Sequence, residues 1–271
     1  MQFEYFDAHS HLYFPDYDED REEEIQKMKK AKIGTICVAT DFASSKKVID
    51  LAEKHENIFA CIGQHPSDLT INSVFEEKLQ KLAEHKKVVA IGECGLDYFR
   101  LPDDPAQVAE IKSIQKTIFE YHIDLALTND LPLMLHIRST KGTNDAYYDA
   151  LEILEKHDKL AGERLRGNAH FFAGDTDILR RLIAIDFTAS YTGVITFTRD
   201  YDELIKYTPL GMILSETDAP FVAPVPYRGK RNSPLFIPEI VQKIAEVKNE
   251  PLEVVKTSIM ANILRVFNRI A

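Results

Sequence analysis

Short apolar runs and longer amphipathic stretches alternate along the whole chain. Runs rich in apolar, β-branched and aromatic residues at 3–7, 33–39, 58–62, 88–93, 132–136, 167–171, 187–190 and 212–215 read as strands. Between them, apolar residues recur every three or four positions, the spacing of one face of a helix. That spacing predicts helices over 18–30, 43–55, 73–85, 106–128, 144–157, 175–184, 201–207, 238–248 and 251–270. The stretch from 73 opens with Ser73 and carries Glu76 three residues on, a capping-box pattern. The stretch from 106 is the longest, with Ile111, Ile114, Ile118, Tyr121 and Leu125 at helical spacing.

Short strands alternating with helices imply parallel βα units. Eight such strands predict an α/β fold: a single-domain (β/α)8 TIM-type barrel over residues 1–271, with a doubly wound open sheet as the alternative. In a barrel of this kind the C-terminal ends of the strands form the active face.

Ligand-type side chains stand directly after the apolar runs. The first run leads into Asp7-Ala8-His9-Ser10-His11, and two imidazoles two residues apart on an extended segment share a face. The fourth run ends in Glu93, the fifth in His136, the sixth reaches His170, and the eighth leads to Asp218. Any one of these is as readily a hydrogen-bonded core residue as a ligand. Six at one end of a barrel, without a cation, would incur a desolvation cost of several kcal/mol per ion. Four histidines and two carboxylates exceed the needs of one tetrahedral ion. They suit two divalent ions about 3.5–4 Å apart, with a shared carboxylate. The expected arrangement has His9, His11 and Asp218 on one ion, His136 and His170 on the other, and Glu93 bridging. Magnesium, manganese and zinc all remain open, since four histidines favour a transition ion and carboxylates suit magnesium.

Composition narrows the setting. Of 271 residues 45% are hydrophobic and 28% charged, ordinary for a globular chain. The net charge is −10, which argues against a broad basic surface for nucleic acid while leaving room for a local basic or metal-lined cleft. Cys37, Cys61 and Cys94 each sit in an apolar run and read as reduced core thiols. No signal pattern or membrane-length apolar run is evident, so a cytoplasmic location without membrane contact is expected. Oligomeric state is not legible.

The residues resemble the TatD-type deoxyribonucleases of the metal-dependent amidohydrolase superfamily. The resemblance is carried by Asp7-Ala8-His9-Ser10-His11, Gly63-Gln64-His65-Pro66, Gly92-Glu93-Cys94-Gly95-Leu96-Asp97-Tyr98 and His136-Ile137-Arg138. It continues in Gly167-Asn168-Ala169-His170, Glu216-Thr217-Asp218-Ala219-Pro220, Arg228-Gly229-Lys230-Arg231-Asn232 and Asn262-Ile263-Leu264 with Phe267. It implies a TIM-type barrel, a divalent-metal site with Glu93 shared, and hydrolysis of DNA phosphodiesters, often as a 3′-to-5′ exonuclease. The chain departs from the family at His170-Phe171-Phe172-Ala173-Gly174, where His-Cys-Phe-Ser-Gly is usual. The ligand-type histidine is kept and the pocket lining changes.

Further candidates follow from position. His65, in a loop after the third strand, is a candidate substrate contact or a loop cap. Arg138, two residues past His136, is a phosphate clamp or a salt-bridge partner. Arg228 and Arg231 lie in the densest basic run and are candidate phosphate contacts. Glu216 and Asp97 are expected to orient histidines or bound water. His55, His85, His122 and His157 read as surface or helix-packing residues. The expected reaction is hydrolysis at DNA ends, or RNA ends, with Asp218 positioning the attacking water and accepting its proton, and Glu93 as the other catalytic carboxylate. The alternatives are hydrolysis of a small amide, lactone or phosphotriester at the same site, and an interaction protein with structural ions.

Overall fold

The computed structural model describes residues 3–270. Eight parallel strands follow one another around one sheet in chain order. They are β1 (Tyr5–Ser10), β2 (Ile33–Val38), β3 (Ile58–Ile62), β4 (Val88–Asp97), β5 (Leu133–Arg138), β6 (Gly167–Ala169), β7 (Phe187–Tyr191) and β8 (Ile213–Ser215). The first strand meets the last just beyond β8. Ser10 bridges Ala219, His11 N–H donates to Ala219 O at 2.7 Å, and Asp218 N–H donates to His9 O at 2.9 Å. The sheet therefore curls into a nearly closed (β/α)8 barrel of the TIM type.

Helices α1 (Arg21–Lys30), α2 (Phe42–Lys54), α3 (Leu79–Ala83), α4 (Pro105–Asn129), α5 (Asp145–Ala161), α6 (Thr176–Ala184), α7 (Asp202–Tyr207), α8 (Ile237–Lys248) and α9 (Leu252–Val266) flank it. Every residue of β2, β3, β4 and β7 is buried, as expected of parallel strands sandwiched between a packed interior and a helical coat. Local signals set the helix ends. Asp41 and Ser44 form a reciprocal capping box at α2. Asp104 accepts the N–H groups of Ala106 and Gln107 ahead of Pro105 in the first turn of α4. Asp130 and Asn249 close α4 and α8 in the left-handed region.

The helix expected over 73–85 shrinks to α3. Its expected cap is spent elsewhere: Ser73 Oγ accepts Thr70 N–H, and the Gln64 amide donates to Val74 O and accepts Glu76 N–H. A side chain that satisfies those backbone groups keeps the segment out of a helix, so the capping box does not form. Strand β4 runs four residues past its expected end, to Asp97. Cys37, Cys61 and Cys94 are buried free thiols. No described helix is long and apolar enough to cross a membrane.

Candidate metal centre

Two irregularities in the barrel fall where chemistry was expected. The β1–β2 register slips between Asp7 and Ser10, and the β4–β5 register slips between Ile91 and Cys94. Such bulges re-aim a side chain relative to the regular ladder. They lie on the segments that carry His9 and Glu93. At Gly92, φ is +152 and an added Cβ would lie 2.4 Å from Met134 O, so only glycine lets β4 pass this close to β5 before Glu93. His11 follows β1, His136 lies within β5, His170 follows β6, and Asp218 lies beyond β8 with φ of 53. Phe171 and Val222, beside the same cavity, also have positive φ, at 45 and 51. Each non-glycine residue held there costs on the order of 1–3 kcal/mol, and such residues cluster at functional sites.

The six expected groups converge, and Glu93 stands between them. Its Oε2 is 3.5 Å from His9 Nε2 and 3.8 Å from His11 Nε2. Its Oε1 is 3.0 Å from His136 Nδ1 and 3.6 Å from His170 Nε2. Asp218 Oδ1 closes the first side, 3.5 Å from His11 Nε2 and 3.8 Å from His9 Nε2. His9, His11 and Asp218 offer atoms within 4.8 Å of one another, as do His9, Glu93 and His170, and also His65, Glu93 and His136. His136 and His170 thus meet the same carboxylate oxygen but stand apart, with ring centroids 6.3 Å from each other. His9 stacks on His170 at 3.6 Å.

The outer hydrogen bonds decide which imidazole nitrogens face inward with a lone pair. His11 Nδ1 is 2.7 Å from Val38 O; a carbonyl only accepts, so the hydrogen is on Nδ1 and Nε2 is bare. His170 Nδ1 lies 2.7 Å from Glu216 Oε1, an ion-pair contact that is not aligned as a hydrogen bond. His136 Nε2 lies 2.8 Å from Asp97 Oδ2, which leaves Nδ1 toward Glu93. Glu216 is itself held by Ser190 Oγ at 2.5 Å, and Asp97 by Phe99 N–H at 2.9 Å. Outer carboxylates that fix the ring and its tautomer are the usual support of histidine ligands. A bare His11 nitrogen 3.1 Å from His9 Nε2 requires a proton or a cation between them, and buried His9 Nδ1 has no partner. Among the described residues, the ion-pair contacts of Glu93 and Asp218 are all histidines. This donor set fits divalent cations.

The electrostatics of these side chains follow from burial and crowding. Burial pushes His9 down to about 3, helped by neighbouring His170. Burial also opposes charge on His170, but Glu216 beside it prevails and lifts it to about 10. Burial opposes ionisation of Glu93, yet His65 and His9 hold it well below the usual carboxylate range. Behind the centre, Asp7 accepts Thr217 N–H at 2.8 Å and Thr217 Oγ–H at 2.6 Å, and also His9 N–H at 3.2 Å. Burial raises its carboxyl to about 7 despite these bonds. In the sequence Asp7 is only one residue of a motif, yet in the fold it ties the β1 bulge to the segment after β8.

A cavity of about 790 Å³ opens above the centre. His65 and Arg138 line it, together with Arg100, and with Phe221 and Tyr201, which carry no signal in the sequence. Arg138 lies over the Phe99 ring at 3.8 Å. Arg228 and Arg231, in the basic run after β8, are not among the residues that line this cavity. Arg231 makes a bidentate pair with Asp20 at 2.6 and 2.7 Å and donates to Asp16 O, while Arg228 packs over Phe197 at 3.5 Å. A charge run looks free in sequence because its partners, here more than 200 residues away, are invisible. His122, expected at a surface or packing position, is fully buried. Its Nδ1 donates to Ile118 O at 2.8 Å and its Nε2 accepts Gln64 N–H at 3.0 Å.

The family described as TatD related DNase matches residues 6–268. The chain belongs to this family. YabD of Bacillus subtilis, named an uncharacterized metal-dependent hydrolase, is 35% identical over 268 residues, 97% of this chain and 98% of that protein. YcfH of Escherichia coli, named likewise, is 31% identical over 270 residues, 97% of this chain and 95% of its own. The crystal structure of YjjV, a TatD homolog from Escherichia coli K12, matches with a TM-score of 0.83 at 26% identity over 99% of each chain. A TatD family hydrolase from Entamoeba histolytica shares the fold, with a TM-score of 0.80 at 20% identity over 98% of this chain and 99% of that one. The protein is a metal-dependent hydrolase of the TatD family with His, Glu and Asp groups placed to bind metal.

Proposed function

We propose that the protein hydrolyses phosphodiester bonds at the ends of nucleic acid, DNA first, with 3′-to-5′ exonuclease character. The observation that carries this reading is the cavity itself: five of the six ligand-type groups, His11, Glu93, His136, His170 and Asp218, line it together with Arg100 and Arg138, in a chain of net charge −10, and the sixth, His9, is buried 3.5 Å from Glu93. A cationic wall beside a metal-competent floor suits an anionic substrate.

His9, His11 and Asp218 would hold one ion and His136 and His170 the other, with Glu93 shared between them. Divalent ions held there would supply a water acidic near neutral pH and would offset charge on phosphoryl oxygens. Asp218, at the cavity edge and held by left-handed backbone, positions the attacking water and accepts its proton. Asp97 and Glu216 keep His136 and His170 in register. Arg138 receives a flanking phosphate, its guanidinium steadied by Phe99.

A surface for flanking phosphates separates a nuclease from a hydrolase of small amides, lactones or phosphotriesters, and the basic run after β8 is one candidate for it. With Arg231 committed to Asp20, that task passes to Arg100 and Arg138. The test uses chelated protein with Mg²⁺, Mn²⁺ or Zn²⁺ added back, assayed on labelled single-stranded DNA and RNA and on a panel of esters, lactones and phosphotriesters. Ion-dependent shortening of DNA from its 3′ end supports the reading; turnover confined to the small-molecule panel overturns it.

A further inference from the structure

We propose that His65 donates a hydrogen bond to a phosphoryl oxygen of the substrate and is not a ligand to the ions. The choice of anion rests on the phosphodiesterase reading; the assignment of the ring does not. Distance alone favours the opposite role. His65 Nε2 lies 3.4 Å from Glu93 Oε1, its ring centroid is 4.2 Å from that of His136, and the three residues form a metal-competent group.

The tautomer decides otherwise. His65 caps the turn Pro66–Asp68, and its Nδ1 accepts the backbone N–H of Ser67 at 3.2 Å. A backbone N–H only donates, so Nδ1 carries the lone pair. Ser67 Oγ, 2.8 Å away, can donate to the same nitrogen. The hydrogen of the neutral ring is therefore on Nε2, the nitrogen that faces the cavity. His11 is built the other way round: its outer nitrogen faces a carbonyl, and its inner nitrogen is bare. Flipping the His65 ring would forfeit the cap. An Nε2 that bears hydrogen has no lone pair for a cation, but it is a fixed donor.

That donor is not saturated. The 3.4 Å contact to Glu93 exceeds the usual 2.7–3.2 Å of an N–H···O bond. His65 lines the cavity wall, so an incoming anionic oxygen can take the hydrogen that Glu93 holds only loosely.

Two variants test this, His65→Ala and His65→Gln, the second placing an amide N–H near the former Nε2. Protein loaded with Mn²⁺ is analysed for metal content and titrated with inorganic phosphate by calorimetry. Both variants are expected to hold as many ions as the wild type. His65→Ala should bind phosphate about tenfold more weakly, the order set by one hydrogen bond to a charged group, and His65→Gln should recover most of that loss. In the wild type, ¹⁵N NMR should show His65 Nδ1 as the unprotonated nitrogen. Loss of an ion equivalent in His65→Ala, unchanged phosphate affinity, or a protonated Nδ1 would overturn the assignment. Failure of the wild type to bind phosphate would instead strike the phosphodiesterase reading, while ion content and the ¹⁵N signal still decide the role of His65.

Discussion

Glu93 and Asp218 show how differently two carboxylates can be used within a few ångströms. Glu93 is 2% exposed and touches both halves of the centre, so replacing it disturbs ions and fold together. Asp218 is on the first side only and reaches the cavity. Asp218→Asn is expected to lower kcat on DNA by about 10²- to 10⁴-fold, the range for a lost general base, with a thermal midpoint of the chelated protein close to that of chelated wild type. Steady-state rates and circular dichroism melts check it; wild-type rates would remove Asp218 from the mechanism. The arginines divide as sharply. Arg138→Ala should raise KM for DNA and reduce the salt dependence of binding by about one unit of slope. Arg231→Ala should leave KM unchanged and lower unfolding stability by about 1 kcal/mol, the scale of a well-formed surface pair. Equal effects on KM would restore the basic run as a substrate surface.

Elements obey local signals where nothing competes. The Asp41 and Asp104 caps place α2 and α4 as propensity demands, and the long periodic stretch from 106 forms a helix of 25 residues. The segment from 73 shows the limit, because a glutamine 12 residues upstream binds its backbone instead. The same loop is joined to α4 by His122, whose buried ring accepts Gln64 N–H. Burial lowers this histidine from 6.5 to about 4. Between those values the unfolded chain binds the proton more readily than the folded one, so stability rises with pH across the window. About 3 kcal/mol should be lost as pH falls from 6.5 through 4, at 1.36 kcal/mol per unit. In urea unfolding from pH 7 to pH 4 the wild type should lose about 3 kcal/mol more stability than His122→Gln, the comparison cancelling other titrating groups such as Asp7 and His9; equal losses would refute it.

On the scale of the whole molecule, the centre joins the two ends of the barrel. Asp7 and His9 come from β1, Thr217 and Asp218 from just beyond β8, and the Ser10–Ala219 bridge lies between them. An ion held by His9, His11 and Asp218 would therefore clamp the seam where the sheet closes. Saturating Mn²⁺ or Zn²⁺ at about 100 times its dissociation constant should add about 2.7 kcal/mol. That raises the thermal midpoint by about 5–10 °C, and a chelator should reverse it without unfolding the chain at 25 °C. No shift would mean that the six groups do not act as an ion site.

Periodicity made the barrel legible, because strands buried on both faces must be apolar runs and the helices between them must be amphipathic. The same runs exposed His9, His11, Glu93, His136, His170 and Asp218 as chemistry placed where chains otherwise turn into loops. Position along a strand is a local property, and sequence carries local properties directly. Orientation and partnership are not local. Whether a guanidinium faces substrate or Asp20, whether Gln64 unmakes a helix, and which nitrogen of His65 bears hydrogen all depend on groups that only folding brings within hydrogen-bonding distance.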